Sequence, residues 1–206
     1  MKSLKLTTLA IVGIALPPMA IGFFYINSES KDISMKAKQL TTKGDSQEQK
    51  SQQTNIELQD RPGEVPDITS GIPHIQLNQT SGDEMYDRLT AQTYAIAGIV
   101  GQSSQASLPG ARAIAVAPEL PINQDAMIVG REFAHIHASP GRGSLHLVLS
   151  ADDAAAIVDK GWGEYHPYSL DGTRPGMVMI FAPRDDQDLK ALISIINASF
   201  EFATSH

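Results

Sequence analysis

The chain has 206 residues, is 42% hydrophobic and carries a formal net charge of −7 at pH 7. This length fits one domain of ordinary size with accessory segments, and the acidic balance gives no support to nucleic-acid binding, which requires a basic patch. Because there is no cysteine, disulfides, thiolate nucleophiles and Cys-ligated metal sites are excluded, and any metal site must use His, Asp or Glu.

Residues 1–26 have the composition of a membrane segment. Two lysines precede an uncharged stretch, 6–26, whose length is close to the roughly 20 residues that a membrane-spanning helix needs. A signal peptide has a shorter apolar core with small residues at its cleavage site, whereas here Pro17 and Pro18 interrupt the run and apolar residues continue beyond Ala20. We expect an uncleaved anchor with the body of the protein outside the cytoplasmic membrane. Secretion after signal cleavage is the alternative.

Residues 27–64 are rich in Ser, Gln, Lys, Thr and Asp, with scattered apolar residues and no sustained period. Such a segment cannot bury enough apolar surface to offset the entropy lost on ordering it. The composition therefore predicts a disordered polar linker over 27–64, followed by one folded domain over 65–206.

The domain alternates between helical and strand-like patterns. Ser81 and Glu84 have capping-box spacing ahead of a helical repeat that ends at Gly98 or Gly101. Ser150 begins a second, short helix, and an apolar stripe after Asp185 indicates a third. Strand patterns cover 111–118, 131–137, 144–150 and 176–183. Strands clustered between about three helices predict an α+β fold with a mostly antiparallel or mixed sheet.

Two of these predicted strands carry three of the six histidines. In 144–150 the leucines alternate with His146, and in 131–137 the apolar Ala134 and Ile136 alternate with Phe133, His135 and His137. If the turn between the strands closes symmetrically, His135 lies directly opposite His146, with Cβ atoms roughly 5 Å apart. The pattern thus predicts an antiparallel hairpin with the three imidazoles on the face opposite the leucines.

Three histidines on one face have three interpretations. They can form a three-His site for a divalent metal such as zinc or iron. They can form an acid–base cluster, because imidazole titrates near neutral pH. They can also be ordinary polar residues on the open face of a sheet. We favour a functional site, because grouping side chains that acquire like charges is unfavourable unless a ligand or a reaction requires it.

The stretch GWGEYHP (161–167) carries the only tryptophan between two glycines, which permit close approach of a ligand. Trp162 is a candidate wall for an aromatic substrate, although a core role is equally consistent with its sequence. His166 is the natural fourth member of the histidine patch. Arg184, which follows the 176–183 strand, is a candidate for holding a carboxylate or enolate.

These motifs together resemble one known family. REFAHIH (131–137), SLHLVLS (144–150), DKGWGEYHP (159–167) and FAPRDD (181–186), in this order and spacing, are similar to the luciferases of luminous fungi and their non-luminous relatives. The segment AIAVAPELPIN (113–123) is also similar to these luciferases and their relatives. The resemblance runs from about residue 112 to 204 and does not extend to residues 1–110.

The resemblance implies oxidation of a small enolisable or aromatic, pyranone-like compound by dioxygen, without an organic cofactor. It implies catalytic roles for Glu132, His135, His137, His146 and His166. For substrate binding we add Trp162, Tyr165, Arg184 and Phe133. We expect no light emission.

Two other functions remain open. One is a metal-dependent enzyme or metal-binding module, with His135, His137 and His146 as the candidate ligands. The other is a domain that binds a small ligand without catalysis. In each case the expected partners are a small molecule and, through the N-terminal segment, a membrane. The sequence specifies no oligomeric state.

Overall fold

Six strands form a single antiparallel sheet in the order β1-β2-β3-β4-β6-β5, in a computed structural model that describes residues 56–206. The predicted α+β fold is therefore confirmed, and its sheet is entirely antiparallel. The strands are β1 (Ile99–Ser103), β2 (Arg112–Val116), β3 (Glu132–Ile136), β4 (Leu145–Val148), β5 (Gly163–Tyr165) and β6 (Met177–Ile180).

Four helices accompany the sheet: α1 (Asp83–Tyr94), α2 (Ala151–Asp159), α3 (Pro167–Leu170) and α4 (Asp186–Thr204). Ser150 and Asp185 cap α2 and α4 as their positions predict, each side chain accepting a hydrogen bond from a backbone N–H in the first turn. The capping box predicted for α1 is wrong. The hydroxyl of Ser81 instead donates to the carbonyl of Pro183, and α1 begins after Gly82 without a side-chain cap.

The predicted hairpin is confirmed in its register. β3 and β4 pair so that His135 lies opposite His146, Ala134 opposite Leu147 and Ile136 opposite Leu145. The leucines and their partners point into the main hydrophobic core, which the long helix α4 covers by packing against β2, β3 and β4. The histidines consequently project from the other face of the sheet.

That other face is not open, contrary to one of the interpretations above. The segment over 65–82 lies against it, and Ile75 and Gln76 are both buried there. The side-chain carbonyl of Gln76 accepts a hydrogen bond of 2.8 Å from the backbone N–H of Ala182. As a result the hairpin histidines are only 1–5% exposed, so they lie in a second interior rather than on a surface.

Residues 56–64, which their composition places in the polar linker, are in contact with the domain. Trp162 donates from its indole N–H to the carbonyl of Gln59 at 2.8 Å, and the backbone N–H of Arg61 donates to Lys160 O at the same distance. Ile56 and Leu58 pack against the core. These contacts bring residues 56–64 into the folded domain.

The predicted membrane anchor over 1–26 and most of the linker lie outside the described residues. Within residues 56–206, no helix combines the length and the apolar character needed to cross a bilayer.

A bulge in β3 changes the predicted position of Phe133. The pairing of β2 with β3 runs from Ile114–Ala134 to Ala115–Glu132 and so skips one residue. The extra residue breaks the two-residue alternation, so Phe133 and Ala134 both face the core. Phe133 is fully buried there, 5.8 Å from the ring of Phe200 on α4.

Phe133 should therefore contribute to stability and not to ligand binding. Replacing Phe133 with Ala is expected to lower the free energy of unfolding by about 3–5 kcal/mol, because the smaller residue leaves a cavity against α4. Phe133→Leu, which keeps most of the apolar volume, should cost clearly less. Urea denaturation measures both losses. A Phe133→Ala protein of unchanged stability would contradict this assignment.

Candidate active site

Five histidines meet on the covered face of the sheet. His146 is their centre: its ring centroid lies 4.6 Å from those of His137 and His166, and 5.1 Å from that of His135. His74, from the covering segment, lies with its ring parallel to that of His146 at 5.3 Å. We call these five residues the histidine cluster. All five are at most 5% exposed.

A continuous chain of polar contacts within hydrogen-bond distance links three members of the cluster to two carboxyl groups. Glu132 Oε1 lies 2.9 Å from His135 Nδ1, and His135 Nε2 lies 3.1 Å from His146 Nδ1. His146 Nε2 then lies 3.2 Å from His74 Nδ1, and His74 Nε2 lies 2.5 Å from Glu164 Oε1. Glu132 is fully buried, whereas the Glu164 side chain is 32% exposed, so the chain runs from the interior to the edge of the site.

The surroundings of Glu132 favour a carboxylate at the inner end of this chain. Its oxygens accept hydrogen bonds from the hydroxyl of Ser104 at 2.7 Å and from the backbone N–H of Gln105 at 3.3 Å. With these two donors and His135 as a third, both oxygens have hydrogen-bond partners. Because a carboxylate only accepts, His135 has a proton on Nδ1, and the neutral form of His135 presents a bare Nε2 to His146.

Hydrogen-bond partners also determine the neutral tautomers of His137 and His166, the two histidines of the cluster that lie outside this chain. The single hydroxyl proton of Ser144 goes to the carbonyl of Gly141 at 2.7 Å, so its oxygen accepts from His137 Nδ1, 2.9 Å away. His137 thus has a bare Nε2. His166 is the reverse case: its Nδ1 accepts from the backbone N–H of Tyr168 at 3.1 Å, so its proton is on Nε2 in the neutral form.

The cluster is neutral around pH 7 at three of its histidines. Burial first, and the neighbouring imidazoles second, lower the pKa of His137 from 6.5 to about 3 and place the pKa of His146 well below its ordinary value. The same causes, with His74 as the main neighbour, lower the pKa of His166 to about 4. Removing water disfavours the imidazolium, and adjacent imidazoles oppose a second positive charge.

A cavity of about 310 Å³ opens onto the cluster. Its polar wall combines four histidines of the cluster with one arginine, and its remaining wall is largely apolar. Such a mixture suits a small, mostly apolar ligand that carries a few polar groups. The lining residues are Ile72, Pro73, His74, Ile75, Ala106, Ser107, Leu108, Ile128, His137, His146, His166, Tyr168, Thr173, Arg174 and Met177.

The structure brings the five residues predicted to be catalytic together: Glu132, His135, His137, His146 and His166. It does not bring the four predicted substrate-binding residues to the cavity. Phe133 is in the core, and Trp162, 2% exposed, is buried in the core with its indole N–H bound to Gln59. Tyr165 pairs with Val178 and packs against the core. The guanidinium of Arg184 donates two hydrogen bonds to Asp188 and one to the carbonyl of Pro62.

Four residues of the site were not assigned from the sequence: His74, Glu164, Tyr168 and Arg174. Glu164 directly precedes Tyr165, which was predicted to bind substrate. Strand alternation within β5 places Glu164 on the histidine face, opposite Met179. His74 lies in a segment without any helix or strand period, so no geometric argument connects it to the hairpin.

Two sets of three histidines bring ligand nitrogens within 4.8 Å of one another. One set is His135, His137 and His146, the set predicted from strand geometry. The other is His74, His146 and His166. His146 belongs to both sets because it lies at the centre of the cluster.

Comparison with known proteins confirms the resemblance. Residues 130–199 match the family model described as Luciferase domain. Over 107 residues the chain is 35% identical to the luciferases of Armillaria mellea and Armillaria gallica, and 33% identical to that of Neonothopanus nambi. Each similarity covers 46% of this chain and 39–40% of the relative. No solved structure matches the chain.

The lowered pKa of His166 predicts a pH dependence of stability. The pKa of His166 is 6.5 in the unfolded chain and about 4 in the folded protein. Between pH 4 and pH 6.5 the unfolded state therefore binds more protons than the folded state. The free energy of unfolding should therefore fall as the pH is lowered from 6.5 to 4. His166→Asn keeps a capping acceptor but cannot titrate, so it should reduce this slope by up to about 1.4 kcal/mol per pH unit.

Urea denaturation at several pH values measures the slope. His206→Asn, at the exposed C-terminal residue, controls for the change of residue type. Equal slopes for the wild-type and His166→Asn proteins would contradict the assignment.

Proposed function

We propose that the protein is a luciferase-like oxidative enzyme that uses dioxygen to oxidise a small enolisable or aromatic compound bound in the cavity. The observation that carries this proposal is the juxtaposition of neutral imidazoles and Arg174 around one cavity, within the part of the chain that is similar to fungal luciferases. The chain spans about two fifths of the length of these relatives. Their activity is therefore extended to this chain as a proposal.

His137 and His166 are better suited to holding an enolate than to generating one. A general base is most efficient when its pKa is near the working pH, whereas the pKa values of His137 and His166 are about 3 and 4. We therefore assign ionisation of an acidic enol to a group other than His137 and His166. In the cavity, the donors we assign to the resulting oxyanion are the Nε2–H of His166 and the N–H groups of Arg174 that remain beside its hydrogen bond to the carbonyl of Met127.

Oxidation then follows from the bound enolate. The nucleophilic carbon of the enolate forms a bond to one oxygen of dioxygen, the carbon is oxidised, and dioxygen is reduced to a peroxide anion. A proton from solvent converts this anion to the hydroperoxide. The apolar wall, formed by residues such as Leu108, Ile128 and Met177, limits the access of water to the reacting carbon.

Arg174 provides the sharpest test. Arg174→Met keeps an unbranched apolar stem but removes the charge. Because a hydrogen bond to a charged group contributes about 1.5–3 kcal/mol, kcat/KM for an enolisable substrate should fall roughly 10- to 100-fold. Arg88→Met, which removes a cation from an exposed ion pair with Asp186, is the matched control. We expect its kcat/KM to equal that of the wild-type protein.

The measurement is oxygen uptake by the full chain with a panel of acidic 1,3-dicarbonyl, hydroxypyranone and catechol compounds. Circular dichroism confirms that each variant is folded. Binding of these compounds without oxygen uptake would show that the domain binds ligands only. If Arg174→Met and Arg88→Met behave alike, the anion is held elsewhere.

A further inference from the structure

The polar chain between Glu132 and Glu164 needs one positive group more than three singly protonated imidazoles supply. It has four links, one at each carboxylate and one on each side of His146. With one proton on each ring, the three imidazoles supply three N–H groups for these four links, and a second ring proton or a metal ion completes the chain. Without either of these, one link brings two bare atoms together. A buried pair of unsatisfied acceptors is costly, and the geometry around His135 and His146 selects the link at which a metal ion fits.

From this geometry, with the ligand nitrogens of all three residues within 4.8 Å of one another, we infer that His135, His137 and His146 bind a divalent transition-metal ion. The atoms that face one another between His135 and His146 are Nε2 and Nδ1, 3.1 Å apart. Two nitrogens that share a tetrahedral ion at about 2.0–2.1 Å lie about 3.3 Å apart. The two imidazoles thus have the separation of two ligands of one ion almost without movement.

A metal ion between His135 and His146 leaves each of the other three links of the chain with one N–H donor and one acceptor. With His146 Nδ1 on the ion, its Nε2–H donates to His74 Nδ1, and His74 Nε2–H donates to the carboxylate of Glu164. At the other end His135 Nδ1–H donates to Glu132. Each imidazole is neutral and each proton has an acceptor. Metal-binding histidines usually donate their second ring N–H to a carboxylate or carbonyl in this way.

The third ligand distinguishes this set from the alternative set of His74, His146 and His166. His137 already carries its proton on Nδ1, held by Ser144, so its Nε2 lone pair is free for an ion. His166 has the opposite tautomer, because its Nδ1 accepts from the backbone N–H of Tyr168. To bind an ion through Nε2, His166 would have to give up that hydrogen bond and move its proton.

The charge of the site agrees with a dication. The carboxyl groups of Glu132 and Glu164 lie at the two ends of the chain, each in contact with one of its histidines. A buried dication is thereby balanced by carboxylates one or two imidazoles away. Three imidazole ligands suit zinc, iron, copper or nickel rather than magnesium or calcium, which prefer oxygen ligands. The inference does not depend on the proposed oxidation.

Metal binding can be measured on the full chain without any substrate. After removal of metal with a chelator, we expect titration with Zn²⁺ to saturate at one ion per chain. Titration with Co²⁺ should produce visible absorption bands of a nitrogen-ligated ion, and Zn²⁺ should displace it. Elemental analysis of the untreated protein identifies which metal it carries when purified.

Variants locate the ion. His137→Ala should abolish the Co²⁺ bands, and Glu132→Gln should weaken Zn²⁺ binding roughly 10- to 100-fold, because it removes the charged partner of a ligand. His166→Asn, in the other set, should bind Zn²⁺ with unchanged affinity. Circular dichroism checks folding, and His137→Gln, which fills more of the space, replaces His137→Ala if the latter does not fold.

Two outcomes would overturn the inference. If the folded wild-type protein shows no saturable binding of Zn²⁺ or Co²⁺ at micromolar concentrations, the chain holds a proton in place of an ion. If His166→Asn loses the Co²⁺ bands while a folded His137 variant keeps them, the ion belongs to the other set. Neither outcome bears on Arg174 or on oxygen uptake, so failure here is distinguishable from failure of the proposed oxidation.

Discussion

The pairing of His135 with His146 across the β3–β4 hairpin is the contact on which the site depends. Antiparallel register places the two residues opposite each other, and the strand period sends both side chains away from the leucine core. From this pair the chain of hydrogen bonds extends in both directions, to Glu132 within β3 and to His74 in the covering segment. A shift of one residue in the register would send the histidines into the core and separate them from their partners.

The bulge in β3 completes this arrangement. Without the extra residue, regular alternation would put Glu132 on the core face and Phe133 on the histidine face. With it, Phe133 joins the core, and Glu132 lies within 2.9 Å of His135, three residues further along the chain. One backbone irregularity thus supplies both a core aromatic and the carboxylate that orients a histidine. Bulges next to active sites commonly re-aim side chains in this manner.

Burial gives the cluster its chemical character. Five imidazoles at most 5% exposed lose most of their hydration, and those at the centre resist protonation because their neighbours would repel the charge. An interior assembled only for stability would favour apolar residues at these positions, because buried polar groups have to be fully paired to be tolerated. His137 lines the cavity, and its Nε2 lone pair is available to a ligand of the cluster because Ser144 holds its Nδ1.

Part of the histidine cluster was predictable from the sequence. Alternation in two short strands was sufficient to place His135, His137 and His146 on one face, because strand period and hairpin register are local properties. The position of Phe133 was not, because a bulge leaves no mark in the hydrophobic pattern. His74 comes from an irregular segment 72 residues away from His146. Arg184 and Trp162 have sequence contexts typical of ligand-binding residues, but Asp188 and Gln59 bind their polar groups instead.

The central claim concerns where the protons of the cluster lie, and nitrogen-15 NMR of the histidine side chains in the metal-free protein tests it most directly. Long-range ¹H–¹⁵N correlations distinguish the two neutral tautomers, and single His→Gln variants assign the signals. The account predicts Nδ1–H for His135 and His137 and Nε2–H for His166 at neutral pH. On addition of Zn²⁺, His146 and His74 should both become Nε2–H. A proton on Nε2 of His137 in the metal-free protein would contradict the account.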